Sequence, residues 1–178
     1  TLGTLMTHTV FTAANVLTMI RLALVPVFAL FRLYGRPGWA LVTFIVASVT
    51  DAFDGLIARA THPTTLGAWL DPMADKILVT TMFVMLTVPG LGLEVRLPLW
   101  LTVLVISRDI GIVLTVAIFN LAVGRRTFKP SPLGKVATAT FMVTGVVTLY
   151  ANYDTRALKL VDICVYLTLA ITILSAFE

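Results

Sequence analysis

Residues 50–76 read T-D-A-F-D-G-L-I-A-R-A-T-H-P-T-T-L-G-A-W-L-D-P-M-A-D-K, and the chain on both sides of them is strongly apolar. Asp51, Asp54, Asp71 and Asp75 lie in this stretch, although the whole chain has only 9 acidic residues. A carboxylate at membrane depth is costly and persists only when it is paired, solvated in a cavity or bound to a metal. Asp51 and Asp54 are spaced i,i+3, and Asp71 and Asp75 i,i+4. On a helix either spacing puts the pair on one face, about 5–6 Å apart at Cβ. Two such pairs on adjacent antiparallel helices can converge into one carboxylate-lined pocket. Oxygen-only donors of this kind suit hard cations such as Mg²⁺, Mn²⁺ or Ca²⁺. His62 reads as a loop residue and His8 as a surface one, so the set lacks the ligands that mark zinc.

Composition sets the medium. The chain has 178 residues, 58% hydrophobic and 12% charged, with a mean hydropathy of +0.98. Soluble domains carry roughly 25% charged residues, so an all-α integral membrane protein is expected. One span takes about 20 apolar residues, and six spans with short loops fill residues 1–178 as one membrane domain. The first residues, T-L-G-T-L-M-T-H-T-V, show no basic start of a secretion leader. Cys164 is the single cysteine and lies in an apolar run, which excludes a disulfide framework and reads as a small buried or lipid-facing residue. The net charge of +4 belongs to topology. No basic, aromatic-interleaved segment points to nucleic acid.

Hydropathy and breakers predict helices over 15–33, 38–60, 70–88, 97–123, 133–150 and 158–176. The breaks fall at Gly35-Arg36-Pro37-Gly38, His62-Pro63, Pro89-Gly90-Leu91-Gly92, Lys129-Pro130-Ser131-Pro132 and Asn152-Tyr153-Asp154. The connection between the fourth and fifth helices carries Arg125, Arg126, Lys129 and, just past it, Lys135. Arg32, Arg36, Arg96, Arg156 and Lys159 are spread over the loops of the other side. The heavier basic loop is expected on the cytoplasmic side, together with both termini and the loop between the aspartate pairs. Tyr34, Trp39, Trp100, Tyr150 and Tyr153 then mark the outer interface as an aromatic belt. The aspartates come out near the cytoplasmic ends of the second and third helices, within reach of charged cytosolic substrates.

The companions of the carboxylates matter as much. Gly55 follows Asp54 and removes a side chain where a ligand can approach the helix. Ala58 lies on a similar face, Arg59 offers a fork for phosphate, and Gly67 opens the helix beside the second pair. Each part also has a plainer reading. Asp71-Pro72 alone resembles a helix N-cap with proline at the first helical position, and Asp75-Lys76 a rim ion pair. Intramembrane aspartates also serve proton relays and cation paths, which makes a membrane cation transporter the rival class. A transporter calls for carboxylates near the bilayer midplane and for broken helices in related repeats, and the sequence has neither. Arg21 and Arg108 lie within or at the ends of apolar helices, where a lone cation is expensive. They either snorkel to headgroups or form a pocket for an anionic acceptor, and Asp109 can simply neutralise Arg108.

The run D-A-F-D-G-L-I-A-R, seven residues, then G-A-W-L-D-P-M-A-D resembles the signature of the CDP-alcohol phosphotransferase family position for position. The resemblance extends to N-V-L-T-M-I-R before it and to I-S-R-D and K-P-S-P-L-G-K after it. It implies six transmembrane helices, a homodimer with active sites facing the cytosol, and transfer of a phosphatidyl or similar group from a CDP-alcohol to an acceptor hydroxyl with release of CMP. By matching position it also implies that Asp51, Asp54 and Asp71 bind two divalent cations, Mg²⁺ or Mn²⁺, with Asp75 near the metals and acting as the general base. Gly55, Ala58, Arg59 and Gly67 resemble the nucleotide-binding positions, with Asn15 and Thr18 adding contacts to the CDP group. Arg21, Arg108, Arg125 or Arg126, and Lys135 make up the acceptor group.

The basic residues favour an anionic acceptor over choline or ethanolamine. Phosphatidylglycerophosphate synthases typically follow a helix-four Arg-Glu with another Arg about two turns on, whereas here Arg108 is followed by Asp109 and the later position, Val116, is apolar. A dianionic phosphomonoester calls for that extra cation more than a phosphodiester does. The I-S-R-D and K-P-S-P-L-G-K-V-A-T-A runs likewise look more like cardiolipin synthases of the CDP-alcohol type. The expectation is therefore CDP-diacylglycerol and phosphatidylglycerol as substrates, in the inner or plasma membrane of a bacterium. Glycerol 3-phosphate is the alternative acceptor.

Overall fold

The computed structural model describes residues 13–60, 67–123, 132–154 and 157–176, with residues 13–15, 51–60, 67–72, 120 and 123 described as backbone alone. Six helices carry the described residues, with no strand among them: α1 (Ala13–Leu33), α2 (Pro37–Ala60), α3 (Gly67–Thr87), α4 (Leu99–Val123), α5 (Pro132–Ala151) and α6 (Leu158–Ala176). Every one was expected, and the largest difference is that α3 begins at Gly67, three residues early. Among the described residues four stretches are long and apolar enough to cross a bilayer: Val16–Leu33, Leu99–Phe119, Pro132–Ala151 and Leu158–Ala176. The chain forms two compact units, Thr1–Met85 and Leu86–Glu178.

In the first unit the α1–α2 corner follows directly from its residues. Gly35 adopts φ 65°, a region that costs an L-side chain about 1–2 kcal/mol and glycine almost nothing. Its N–H donates to the Arg32 carbonyl at 3.1 Å, and the Arg36 N–H donates to the Phe31 carbonyl at 2.9 Å. These are the two bonds of a Schellman C-cap. Pro37 then opens α2 as its first residue, where a missing N–H costs nothing and φ is already set. Phe28 packs against Phe44 with ring centroids 5.7 Å apart, and Phe31 stacks on Trp39 at 6.0 Å.

The buried face of α1 runs through Thr18, Arg21, Val25, Phe28 and Arg32, and that of α2 through Ala40, Thr43, Phe44 and Ala47. Alanines at two of these positions let helix backbones approach closely, as membrane helices do. On α3 the buried face is Ala74, Leu78, Val79, Met82 and Phe83.

The second unit is built around hydroxyl groups. α5 packs on α6; α5 buries Ala137, Phe141, Thr144, Gly145, Thr148 and Leu149, and α6 buries Val161, Val165, Thr168, Thr172 and Ser175. Thr144 and Thr168 share a hydrogen bond across this seam at 2.7 Å. Thr87 and Thr102 share another at 2.5 Å. Residues 88–98 are not helical, yet Leu93, Val95 and Leu97 are buried while Glu94 and Arg96 are exposed. That alternation is the period of extended backbone. Beyond Ile110, α4 exposes Ile112, Val113, Leu114, Ile118, Phe119 and Leu121, an apolar surface suited to lipid. The five expected belt aromatics, Tyr34, Trp39, Trp100, Tyr150 and Tyr153, are all exposed.

Candidate active site

α2 remains helical through Ala60 and α3 is helical from Gly67, so the regular register on which the aspartate spacing depends holds at all four positions. Asp51, Asp54, Gly55, Ala58 and Arg59 lie in the last turns of α2, and Gly67 and Asp71 in the first turns of α3. Their side chains are outside the described residues. The backbone register gives their positions along each helix. The buried stripe of α2, residues 40, 43, 44 and 47, continues by steps of three and four to 51, 54, 55 and 58. The buried stripe of α3, residues 74, 78, 79 and 82, runs back in the same way to 75, 71 and 67. The acidic and glycine positions therefore share the phase of the residues each helix buries in protein, not of those it exposes.

Asp71 is the fifth residue of α3 and Pro72 the sixth, so the N-cap reading of Asp71-Pro72 does not hold. Pro72 has no N–H to give the carbonyl four residues back, an irregularity one turn into the helix that carries the second aspartate pair. Asp75, whose side chain is described, is partly buried, with its Oδ1 shut off from solvent.

Arg21 and Thr18 on α1 are both fully buried. Arg21 thus does not run along the surface to a headgroup, and its charge is enclosed by protein. Asn15 occupies the first turn of α1, one helical step before Thr18. Ser48 and Thr50, ahead of the aspartates, bond back to the carbonyls of Phe44 and Ala47. These bonds satisfy their hydroxyls within the helix.

The remaining expected residues belong to the second unit. Arg108 on α4 is enclosed, its side chain only 7% exposed, and its Nη1 donates to Asp109 Oδ1 at 2.8 Å. Snorkelling therefore fails for this arginine also, while neutralisation by Asp109 is what the structure shows. Its Nε donates to Ser175 Oγ at 3.1 Å, a partner the sequence reading did not single out. Lys135 is exposed on α5. Arg125 and Arg126 lie outside the described residues. Cys164 is a free thiol, partly buried on α6.

Chemically, aspartates offer only oxygen donors, the kind that hard divalent cations take. Arg21 on α1 and Arg108 on α4 are cationic side chains enclosed by protein. The family model for CDP-alcohol phosphatidyltransferases matches residues 11–174, and the chain belongs to this family. It is 40% identical to a probable phosphatidylglycerophosphate synthase of Mycobacterium tuberculosis, over 68% of this chain and 57% of that protein. It is 31% identical to the cardiolipin synthase (CMP-forming) of Rattus norvegicus, over 94% of this chain and 61% of the relative. The CDP-diacylglycerol–glycerol-3-phosphate 3-phosphatidyltransferase of Bacillus subtilis is 28% identical, over 94% of this chain and 93% of its own length. The matches to the first two span less than two thirds of those proteins.

Proposed function

We propose that this protein transfers a phosphatidyl group from CDP-diacylglycerol to the hydroxyl of an anionic glycerol-type acceptor, releasing CMP. The observation that carries the reading is that α2 and α3 stay helical through all four aspartate positions, which keeps them in phase with the residues each helix buries. Family membership removes the ground for a cation transporter.

Asp51, Asp54, Asp71 and Asp75 are the residues to hold two divalent cations, Mg²⁺ or Mn²⁺. Such a pair screens a diphosphate and stabilises charge on the attacking and leaving oxygens of an in-line displacement. The protein's own residues do the rest. Asp75 takes the proton of the acceptor hydroxyl, a role that requires hydrogen-bond reach to that oxygen. Gly55, Ala58 and Gly67 leave backbone open for the cytidine nucleotide, with Arg59, Asn15 and Thr18 around it. Arg21, Arg108, Arg125 and Lys135 are the residues for the acceptor's anionic group. The family's arrangement, a homodimer of six-span chains with the site at the cytoplasmic face of a bacterial membrane, completes the proposal.

Phosphatidylglycerol is the acceptor we favour, which makes the product cardiolipin. The Arg108–Asp109 ion pair supports this choice, because an arginine already sharing its charge suits a phosphodiester better than a dianion. Glycerol 3-phosphate has its own support in the Bacillus subtilis relative, whose name gives that acceptor, and in the Mycobacterium tuberculosis relative, named a probable phosphatidylglycerophosphate synthase. The test offers purified protein CDP-diacylglycerol and Mg²⁺ with either acceptor in parallel. Cardiolipin made only from phosphatidylglycerol bears out the reading. Phosphatidylglycerophosphate keeps the metals and the base but replaces the acceptor, and absence of CMP release with both defeats the proposal.

A further inference from the structure

A line of buried hydroxyls on α6 ends at Arg108. Thr168 and Thr172 are almost wholly buried, and Ser175 is 5% exposed. Thr172 Oγ1 donates to the Thr168 carbonyl at 2.6 Å, and Ser175 Oγ donates to the Thr172 carbonyl at 3.1 Å. A hydroxyl has one proton and two lone pairs. With its proton committed to its own helix, Ser175 turns its lone pairs outward, and one accepts the Nε–H of Arg108 at 3.1 Å.

The opposite side of the guanidinium is held as well, since Nη1 donates to Asp109 Oδ1 at 2.8 Å. A planar guanidinium held at Nε and at Nη1 is constrained in its orientation. Of its five N–H donors, these contacts occupy one on each of two nitrogens. The edge between Nη1 and Nη2 is the fork that takes two phosphate oxygens in parallel.

We propose that Ser175 is a positioning residue for the acceptor: by fixing Nε it orients the Arg108 fork toward the phosphate of the acceptor headgroup. This deepens the proposed function and rests on its placement of Arg108 in the acceptor site. A lysine in place of Arg108 keeps the charge but has no Nε–H and no fork, so the contribution of Ser175 vanishes in that background.

The experiment measures steady-state kinetics of the purified chain in mixed micelles with CDP-diacylglycerol and Mg²⁺. The acceptor is phosphatidylglycerol or glycerol 3-phosphate, whichever yields product. Ser175→Ala is expected to raise the acceptor KM by roughly three- to tenfold, the worth of one hydrogen bond, and to leave kcat and the CDP-diacylglycerol KM unchanged. Ser175→Thr, which retains the hydroxyl, is expected to restore the acceptor KM. In an Arg108→Lys background, where the acceptor KM is already raised, Ser175→Ala adds nothing further. A raised KM in Arg108→Lys with none in Ser175→Ala, or with fully additive effects, overturns the positioning role alone. An unmoved KM in Arg108→Lys removes Arg108 from the acceptor site and the proposal with it. Equal losses in Ser175→Ala and Ser175→Thr assign the effect to packing and also overturn the proposal.

Discussion

Asn152 holds Val95 by both of its backbone groups. The Val95 N–H donates to Asn152 Oδ1 at 3.1 Å, and Asn152 Nδ2 donates to the Val95 carbonyl at 2.8 Å. The second proton of Nδ2 goes to the Thr148 carbonyl, also at 2.8 Å. One side chain thus stands in for a neighbouring strand and ties residues 88–98 to the end of α5. Asn152→Ala removes three bonds and leaves the polar groups of a buried residue unmatched, at about 1–3 kcal/mol each. The expected loss is about 2–4 kcal/mol, read as a lower midpoint of tryptophan-monitored thermal unfolding in mild detergent. Catalysis by the folded fraction should persist. A midpoint equal to wild type would mean that the clamp contributes nothing.

That clamp also shows where sequence reading stops. Leu93, Glu94, Val95, Arg96 and Leu97 alternate apolar and charged residues, yet beside Pro89 and two glycines the segment reads simply as a loop. The Asn152 contact, between residues far apart in sequence, and the Leu97 N–H bond to the Leu86 carbonyl show why it is laid down in order. The helices were legible because a bilayer demands long apolar runs, and their breaks because Gly35 and Pro37 carry their conformational preference with them. The aspartate positions were legible because charge is rare in such sequence. Ser175 was not: serine is common in membrane helices, and nothing local ties it to Arg108.

Gly35 offers a clean test of the first corner. A Cβ added there meets nothing within 4 Å, so sterics with neighbours play no part and only φ 65° matters. Gly35→Ala is expected to cost about 1 kcal/mol, and Gly35→Asn less, because asparagine tolerates this region. Thermal unfolding should order the proteins as glycine, asparagine, alanine. Alanine equal to glycine would show that the corner does not hold its left-handed turn.

Arg21 separates a functional from a structural buried charge. Arg21→Met keeps most of the volume and the flexible stem while deleting the guanidinium. Removing one member of a buried charged contact leaves its partner uncompensated and typically costs about 3–5 kcal/mol, so the readout that bears on function is kinetic. If Arg21 serves the acceptor, the folded fraction of the variant loses at least about tenfold in kcat/KM for the acceptor. A destabilised protein with normal kinetics would instead make Arg21 a framework residue.

The aspartates carry the sharpest prediction, because proton transfer and cation binding fail differently. Asp75→Asn preserves shape and one carbonyl oxygen but cannot accept the acceptor's proton, so CMP release is expected to fall by about 10²–10⁴-fold. Raising the pH should not restore it, since the amide does not ionise. Asp51→Ala and Asp71→Ala remove a carboxylate ligand outright, and their residual activity is expected to need far more Mg²⁺ for half-saturation. Titration of calorimetric heat with Mn²⁺ in the presence of CMP tests binding without turnover. Asp51→Ala and Asp71→Ala should lose the high-affinity signal, while Asp75→Asn keeps a weakened one. Near-normal turnover in Asp75→Asn would falsify its assignment as the base. Unchanged Mn²⁺ binding in Asp51→Ala and Asp71→Ala would take the cations away from these carboxylates altogether.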